Sequence, residues 1–198
     1  MLRRPLFMLA TVISLTLAAA PGRAANPQVD LDTTAGKIRI ELAPDAAPQS
    51  VENFLAYVKA KHYDGTQFHR VIAGFMIQGG GYGADFSSKP TRAPIKNEAE
   101  QSSKAGLLNV PGTIAMARTS EPNSATAQFF INVGDNKSLN FRDPSPGGIG
   151  YTVFGKVISG MDVVNKIAKT PTGAGGPFPT DVPVERVLIK SATVVGAP

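Results

Sequence analysis

The residues with most chemical content lie between Phe68 and Gly83, which read FHRVIAGFMIQGGGYG. One cation (Arg70), two large apolar side chains (Phe75 and Met76) and an amide (Gln78) sit there beside a glycine run. Apolar groups so placed can form a pocket for a small ring, with Arg70 and Gln78 at its edge. Arginine stays charged at any physiological pH and offers five rigidly placed donors, so it can polarise whatever the pocket holds. The combination suggests chemistry by electrostatics rather than by covalent attack.

The alternatives are thin. Gly79-Gly80-Gly81-Tyr82-Gly83 is not followed by a Lys-Ser/Thr pair or a helical pattern, so it is no phosphate loop, and strand-end glycines allowing tight bends are the better reading. The two histidines, His62 and His69, belong to no ligand-spaced cluster with Asp or Glu, so no metal site is expected. His69 reads as a hydrogen-bonded histidine beside the pocket strand. No Gly-x-Ser-x-Gly elbow occurs, and with no cysteine in the chain, disulfides, thiolate metal sites and cysteine nucleophiles are excluded. What remains is a reaction that needs no nucleophile and no cofactor.

The elements that must position these residues follow from hydrophobic periodicity. Val29 to Glu41 holds two alternating runs around Thr33–Gly36, an antiparallel hairpin. After Pro48, Val51, Phe54, Leu55 and Val58 fall at i, i+3, i+4 and i+7, which predicts an amphipathic helix. Short β-rich runs follow at Gln67–Ile72, Phe75–Gln78, Thr113–Ala117, Gln128–Val133 and Thr152–Ile158, then a second helix over Met161–Lys169 and a last strand over Val184–Val195. Such spacing is that of an antiparallel sandwich or barrel. Gly83–Pro94, Thr119–Ala125, Asn140–Gly150 and Thr170–Pro183 read as loops, the last too rich in turn residues for a regular element.

The first residues have a different character. Arg3 and Arg4 precede an apolar run from Leu6 to Ala20, with Gly22 and Ala24 beyond it, as in a secretory signal peptide. That run is shorter than the ~20 residues a spanning helix needs. Residues 1–24 are therefore expected to be cleaved, leaving 25–198 as one soluble domain with no membrane association. The chain carries 20 Lys+Arg against 15 Asp+Glu, but Arg3, Arg4 and Arg23 leave with the leader, so 17 remain against 15. Those basic residues are scattered, which excludes a nucleic-acid partner.

Several segments together are similar to one family. FHRVIAGFMIQGGGYG, KNEA at Lys96–Ala99, GTIAMAR at Gly112–Arg118, AQFFINV at Ala127–Val133 and YTVFGKVISGMDVVNKI at Tyr151–Ile167 resemble a cyclophilin, in the family's order, from about Val29 to Val194. The KNEA segment and the leader resemble its bacterial periplasmic branch. The resemblance implies a mainly β fold, a closed eight-stranded antiparallel barrel capped by two helices, and a cofactor-independent peptidyl-prolyl cis-trans isomerase. It implies Arg70 as catalytic arginine with Gln78 as its polar companion. Phe75, Met76, Phe130 and Leu139 fall where the family lines its proline pocket, Gln128 matches a second polar position, and Ala117 with Arg118 matches the strand that pairs with bound peptide. Tyr151 stands where the eukaryotic pattern has a histidine, and Ser138 where it has a tryptophan. Strand alternation assigns Phe129, next to Phe130, to the core. The implied partners are proline-containing polypeptides, unfolded exported proteins in the periplasm among them, served by a monomer. A non-catalytic proline-peptide-binding or holdase module is the alternative.

Overall fold

Alternating apolar residues build the sheet and two amphipathic helices close over it. The computed structural model describes residues 25–195, so the predicted leader lies outside the described residues. The chain runs β1 (Gln28–Thr33), β2 (Gly36–Leu42), α1 (Pro48–Lys59), β3 (Thr66–Ile72), β4 (Met76–Gly83), α2 (Ala99–Lys104), β5 (Thr113–Met116), β6 (Phe129–Asn132), β7 (Val153–Ser159), α3 (Met161–Ala168), β8 (Thr172–Gly175), β9 (Phe178–Pro183) and β10 (Leu188–Val195). Eight strands close into an antiparallel barrel in the order β1-β10-β3-β4-β6-β5-β7-β2. Closure removes the open edges that would otherwise pair with other chains. None of the described helices is long and apolar enough to cross a membrane.

The barrel is filled. Phe54 of α1 lies 5.2 Å from Tyr63, 5.6 Å from Phe129 and 5.2 Å from Phe154, ring centre to ring centre, and all four rings are buried. Tyr63 settles its one polar atom by donating to the Ala127 carbonyl at 2.9 Å. The α1 stripe is turned slightly from the predicted one: Val51, Phe54 and Val58 are buried, but Tyr57 joins them and Leu55 stays half-buried. On the other helix, Val164 and Ile167 are buried as their spacing requires.

Three expectations need correction. Thr170–Pro183 is not a loop: β8 and β9 pair there as a two-stranded hairpin, with Thr172 opposite Pro183 and Gly173 opposite Val182. Its strand character comes from tertiary packing, since Val182 is buried and Phe178 meets the rings of His69 and Tyr82 on the barrel. The strand read over Phe75–Gln78 is longer, since β4 takes in the whole glycine run and ends with it at Gly83. The last strand begins at Leu188 rather than Val184, whose side chain is exposed. In addition α2, a helix of six residues, was not foreseen.

The start of α1 is held from far along the chain. Ala47 offers no side-chain cap, and Pro48 lacks an N–H, but the carboxylate of Glu98 accepts from the backbone N–H of Gln49 (3.0 Å), the N–H of Ser50 (2.8 Å) and the Ser50 hydroxyl (2.7 Å). A buried anion at a helix N-terminus satisfies orphan donors and the helix dipole together. Glu98 in turn donates its own N–H to Thr152 Oγ1 at 2.8 Å, beside Tyr151. Glu98→Ala is expected to lower stability by about 2–4 kcal/mol, because buried donors lose a charged acceptor. Thermal unfolding should show a midpoint roughly 5–15 °C lower, and Glu98→Gln, which keeps one acceptor oxygen, should fall between. A midpoint unchanged in Glu98→Ala would refute this role.

Candidate functional site

An irregularity in β3 decides where the cation goes. Phe68 pairs with Gly79 on β4, yet Arg70 pairs with Gln78, so two steps on β3 match one on β4 and His69 is the extra residue of a β-bulge. Residues i and i+2 of a regular strand share a face. The bulge breaks that rule, so Phe68 is buried in the barrel while Arg70 lies on the outer surface. Beyond it alternation resumes, with Val71 opposite the buried Ile77 and Ile72 opposite Met76.

Directly opposed residues of antiparallel strands share a face, and here they form a row. Arg70 faces Gln78, Gln78 faces Phe130, Phe130 faces Ala115, and Ala115 faces Val153. The intervening row, Ile77, Ile131 and Ile114, belongs to the barrel core with Phe129. The outer row carries its own small apolar cluster of Met76, Ala115, Phe130 and Val153, against which Phe75, Ala117, Leu139 and Tyr151 pack half-buried.

A concavity of about 100 Å³ opens on this patch, lined by Arg70, Phe75, Met76, Gln78, Ala117, Arg118, Phe130, Leu139 and Tyr151. That is well below the ~300–1,000 Å³ of sites that take drug-sized ligands and suits one small ring. Of the residues singled out in the sequence, only Gln128 is missing from the lining, and it stands directly behind, accepting from Gln78 Nε2 at 2.9 Å. Ser138 is exposed in a 3₁₀ turn over Lys137–Leu139 and leaves the rim open beside Leu139.

The two arginines differ in kind. Arg118 stacks its guanidinium 4.4 Å from the Tyr151 ring centre and donates to the Gly150 and Thr119 carbonyls at 3.0 and 2.9 Å, so it is part of the wall. Arg70 is about half exposed and pairs with Asp181, whose Oδ2 lies 3.7 Å from its Nε. Tyr151 meets Phe130 edge-on at 5.7 Å, which fixes both rings. The Ala117 N–H is committed to the Gln128 carbonyl at 3.0 Å.

Sequence reasoning missed what holds the walls. Asn136 Nδ2 donates to the Phe75 carbonyl (2.8 Å) and to Asn132 Oδ1 (2.6 Å), and Asn132 Nδ2 donates to Asn109 Oδ1 (3.1 Å). Asn109 Nδ2 then reaches the carbonyls of Leu139 (3.1 Å) and Tyr151 (3.3 Å). Three pocket walls from distant segments thus hang on one buried amide network. Its only advance signal was Asn132 closing the apolar run FFIN, a buried polar residue that must find partners.

His69 meets the expectation in part: it is a buried histidine beside the pocket strand, with the Gln67 backbone as its polar neighbour. Its ring is buried between Tyr82 (4.7 Å) and Phe178 (5.3 Å), and its Nδ1 has no hydrogen-bond partner. Burial pushes its pKa down to about 4, so the ring is neutral and acts as packing.

With this geometry in view, comparison with known proteins is informative. The family model for cyclophilin type peptidyl-prolyl cis-trans isomerase/CLD matches residues 28–194. The chain is 55% identical over 168 residues to peptidyl-prolyl cis-trans isomerase cyp18 of Streptomyces antibioticus, covering 85% of this chain and 98% of that protein. It is 48% identical over 197 residues to peptidyl-prolyl cis-trans isomerase A of Dickeya dadantii, covering 98% and 99% respectively. Among solved structures, a cyclophilin type isomerase of Cryptosporidium parvum determined in the presence of the dipeptide Ala-Pro superposes with a TM-score of 0.69 at 27% identity, over 86% of this chain and 99% of its own.

The glycines have a testable place in this geometry. A Cβ on Gly81 would lie 2.6–2.7 Å from the side chain of Gln128. That side chain is flexible, so Gly81→Ala is expected to displace it from Gln78 while leaving the thermal midpoint within about 2 °C. The side-chain amide resonances of Gln78 and Gln128 should both move in the NMR spectrum. If they hold their positions, Gly81 does not set this pair.

Proposed function

The chain belongs to the cyclophilin-type peptidyl-prolyl cis-trans isomerase family, and from that premise we propose how its own residues turn an X-Pro bond. Rotation about that bond breaks amide resonance behind a barrier of ~18–20 kcal/mol and takes tens to hundreds of seconds unaided. No covalent bond is broken, so neither nucleophile nor cofactor is needed. The prolyl ring seats against Met76, Phe130 and Leu139, with Phe75 and Tyr151 closing the sides. As the C–N bond twists, the prolyl nitrogen becomes pyramidal and regains a lone pair, which the Arg70 guanidinium hydrogen-bonds. Neither planar state offers that acceptor, so the contact lowers the barrier without trapping substrate or product. Gln78, braced by Gln128, orients the substrate backbone beside the pocket. The observation that carries this reading is a half-exposed, permanently charged Arg70 at the lip of a ring-sized hollow that also presents Phe75, Met76, Phe130 and Leu139.

The same proposal extends to where the enzyme works. Residues 1–24 are read as a cleaved leader, with 25–198 as a single isomerase domain in the periplasm acting on proline-containing segments of unfolded exported proteins. Supporting this, the alignment with the Dickeya dadantii relative runs over nearly the whole chain, so that protein has a counterpart of the leader segment. The closed main sheet leaves no open edge for a second copy, in keeping with a monomer.

A hydrogen bond made only in the twisted state and worth ~3 kcal/mol corresponds to about 10² in rate. Arg70→Ala is therefore expected to lower kcat/KM for an X-Pro peptide about 100-fold in a protease-coupled assay, while peptide affinity changes by less than about threefold. A variant as fast as the parent would overturn the assignment, and a parent that binds peptide without turnover would favour a holdase. In cells, N-terminal sequencing of the protein from the periplasmic fraction should begin at Ala25. Recovery of uncut chain from the cytoplasm alone would refute export.

A further inference from the structure

We propose that Asp181 is a positioning residue for the isomerase reaction, holding the Arg70 guanidinium in its working orientation; the proposal rests on the catalytic reading of Arg70 above. Asp181 lies in the β8–β9 hairpin, far along the chain from the pocket strands, yet its Oδ2 is 3.7 Å from Arg70 Nε. Contact at Nε leaves the outer edge of the guanidinium, with its two terminal nitrogens, free to point at a substrate. An arginine side chain on an open surface samples many rotamers, and every rotamer that turns the head away from the pocket dilutes the reactive geometry. An exposed ion pair does little for stability, so its consequence here is orientational.

The hairpin is built to present this carboxylate. Asp181 has φ of +66°, in the left-handed region that Asp tolerates better than most residues, and it lies between Pro179 and Pro183, whose rings fix their own φ. Val182 beside it is buried, and Phe178 packs on the rings of His69 (5.3 Å) and Tyr82 (5.1 Å). His69 is the bulge residue immediately before Arg70. The packing that seats the hairpin on the barrel therefore sets the distance between Asp181 and Arg70, and it accounts for the buried His69 ring, whose Nδ1 has no hydrogen-bond partner.

The test measures kcat and KM for an X-Pro peptide, together with the Nε–Hε signal of Arg70 in ¹⁵N NMR, on Asp181→Ala, Asp181→Glu, Arg70→Ala and the double variant. Asp181→Ala is expected to lower kcat about 5- to 10-fold with KM within twofold and the thermal midpoint only about 2–5 °C lower, the cost of placing Ala at a left-handed φ, and the Arg70 Nε–Hε signal should broaden or shift toward the solvent-averaged position. Asp181→Glu should recover part of the rate, and Asp181→Ala should have no further effect on an Arg70→Ala enzyme. An Arg70 signal and kcat unchanged in Asp181→Ala would overturn the proposal, as would an equal loss of rate in the Arg70→Ala background. If Arg70→Ala itself is fully active, the catalytic reading fails, and the Nε–Hε signal still decides whether Asp181 orients the side chain.

Discussion

A single extra residue in β3 is the constraint on which the site depends. Phe68 points inward to complete the aromatic core, and Arg70 points outward to line the hollow, yet a regular strand would put both on one face. With His69 accommodated as a bulge, Phe68 stays opposite Gly79 and Arg70 moves opposite Gln78. Remove the bulge and Arg70 would fall opposite Ile77, a core position where an unpaired guanidinium is too costly to bury. Core packing and cation placement are thus one decision. The bulge has its own requirement, since the His69 ring is displaced from the ladder and needs cover, which the β8–β9 hairpin supplies through Phe178.

The second dependence is on polar groups that act over long sequence separations. The walls of the hollow come from β3, from β4 and the turn before it, from β6, from the segment after β5, from the turn before Asn140 and from the segment before β7, and no local rule makes them converge. Asn109, Asn132 and Asn136 tie the backbone of Phe75, Leu139 and Tyr151 to one buried network. Glu98 does the same at larger scale, joining the first turn of α1 to Thr152. Asparagine suits the first task because one side chain both donates and accepts, so a chain of them satisfies itself. A carboxylate suits the second because a helix N-terminus presents only donors.

This division explains what could be read from the sequence. Period-2 runs and the i, i+3, i+4 pattern place β1, β2, α1 and α3 from local physics alone, and alternation separates Phe129 from Phe130. The pocket residues were legible because whole motifs resemble a family whose arrangement is known, not because spacing brings Leu139 near Phe75. The bulge and the Glu98 cap left no local trace, and the asparagine network left only Asn132 at the end of an apolar run, since each is a solution to a tertiary problem. The β8–β9 hairpin was misread for the converse reason: glycine and proline dominate its local signal, while its strand conformation is imposed by tertiary contacts, the ring packing of half-buried Phe178 and the burial of Val182.

The location of the hollow also follows from the kind of substrate an isomerase must accept. Phe54, Tyr63, Phe68, Phe129 and Phe154 fill the barrel, so its interior has no room for a ligand, and a polypeptide could not thread it in any case. Only the outer face lets a chain enter and leave on both sides of the proline. A hollow on that face must be shallow, which limits what apolar contact can contribute to binding and leaves Arg70 in contact with water. On the mechanism proposed above, seating the prolyl ring removes part of that water from around the guanidinium, so the attraction between cation and lone pair strengthens as the bond twists, when it alters the rate. In the proposed mechanism the small apolar patch of Met76, Phe130 and Leu139 therefore does more than recognise proline: it lowers the polarity around the charge assigned to the reaction, Arg70.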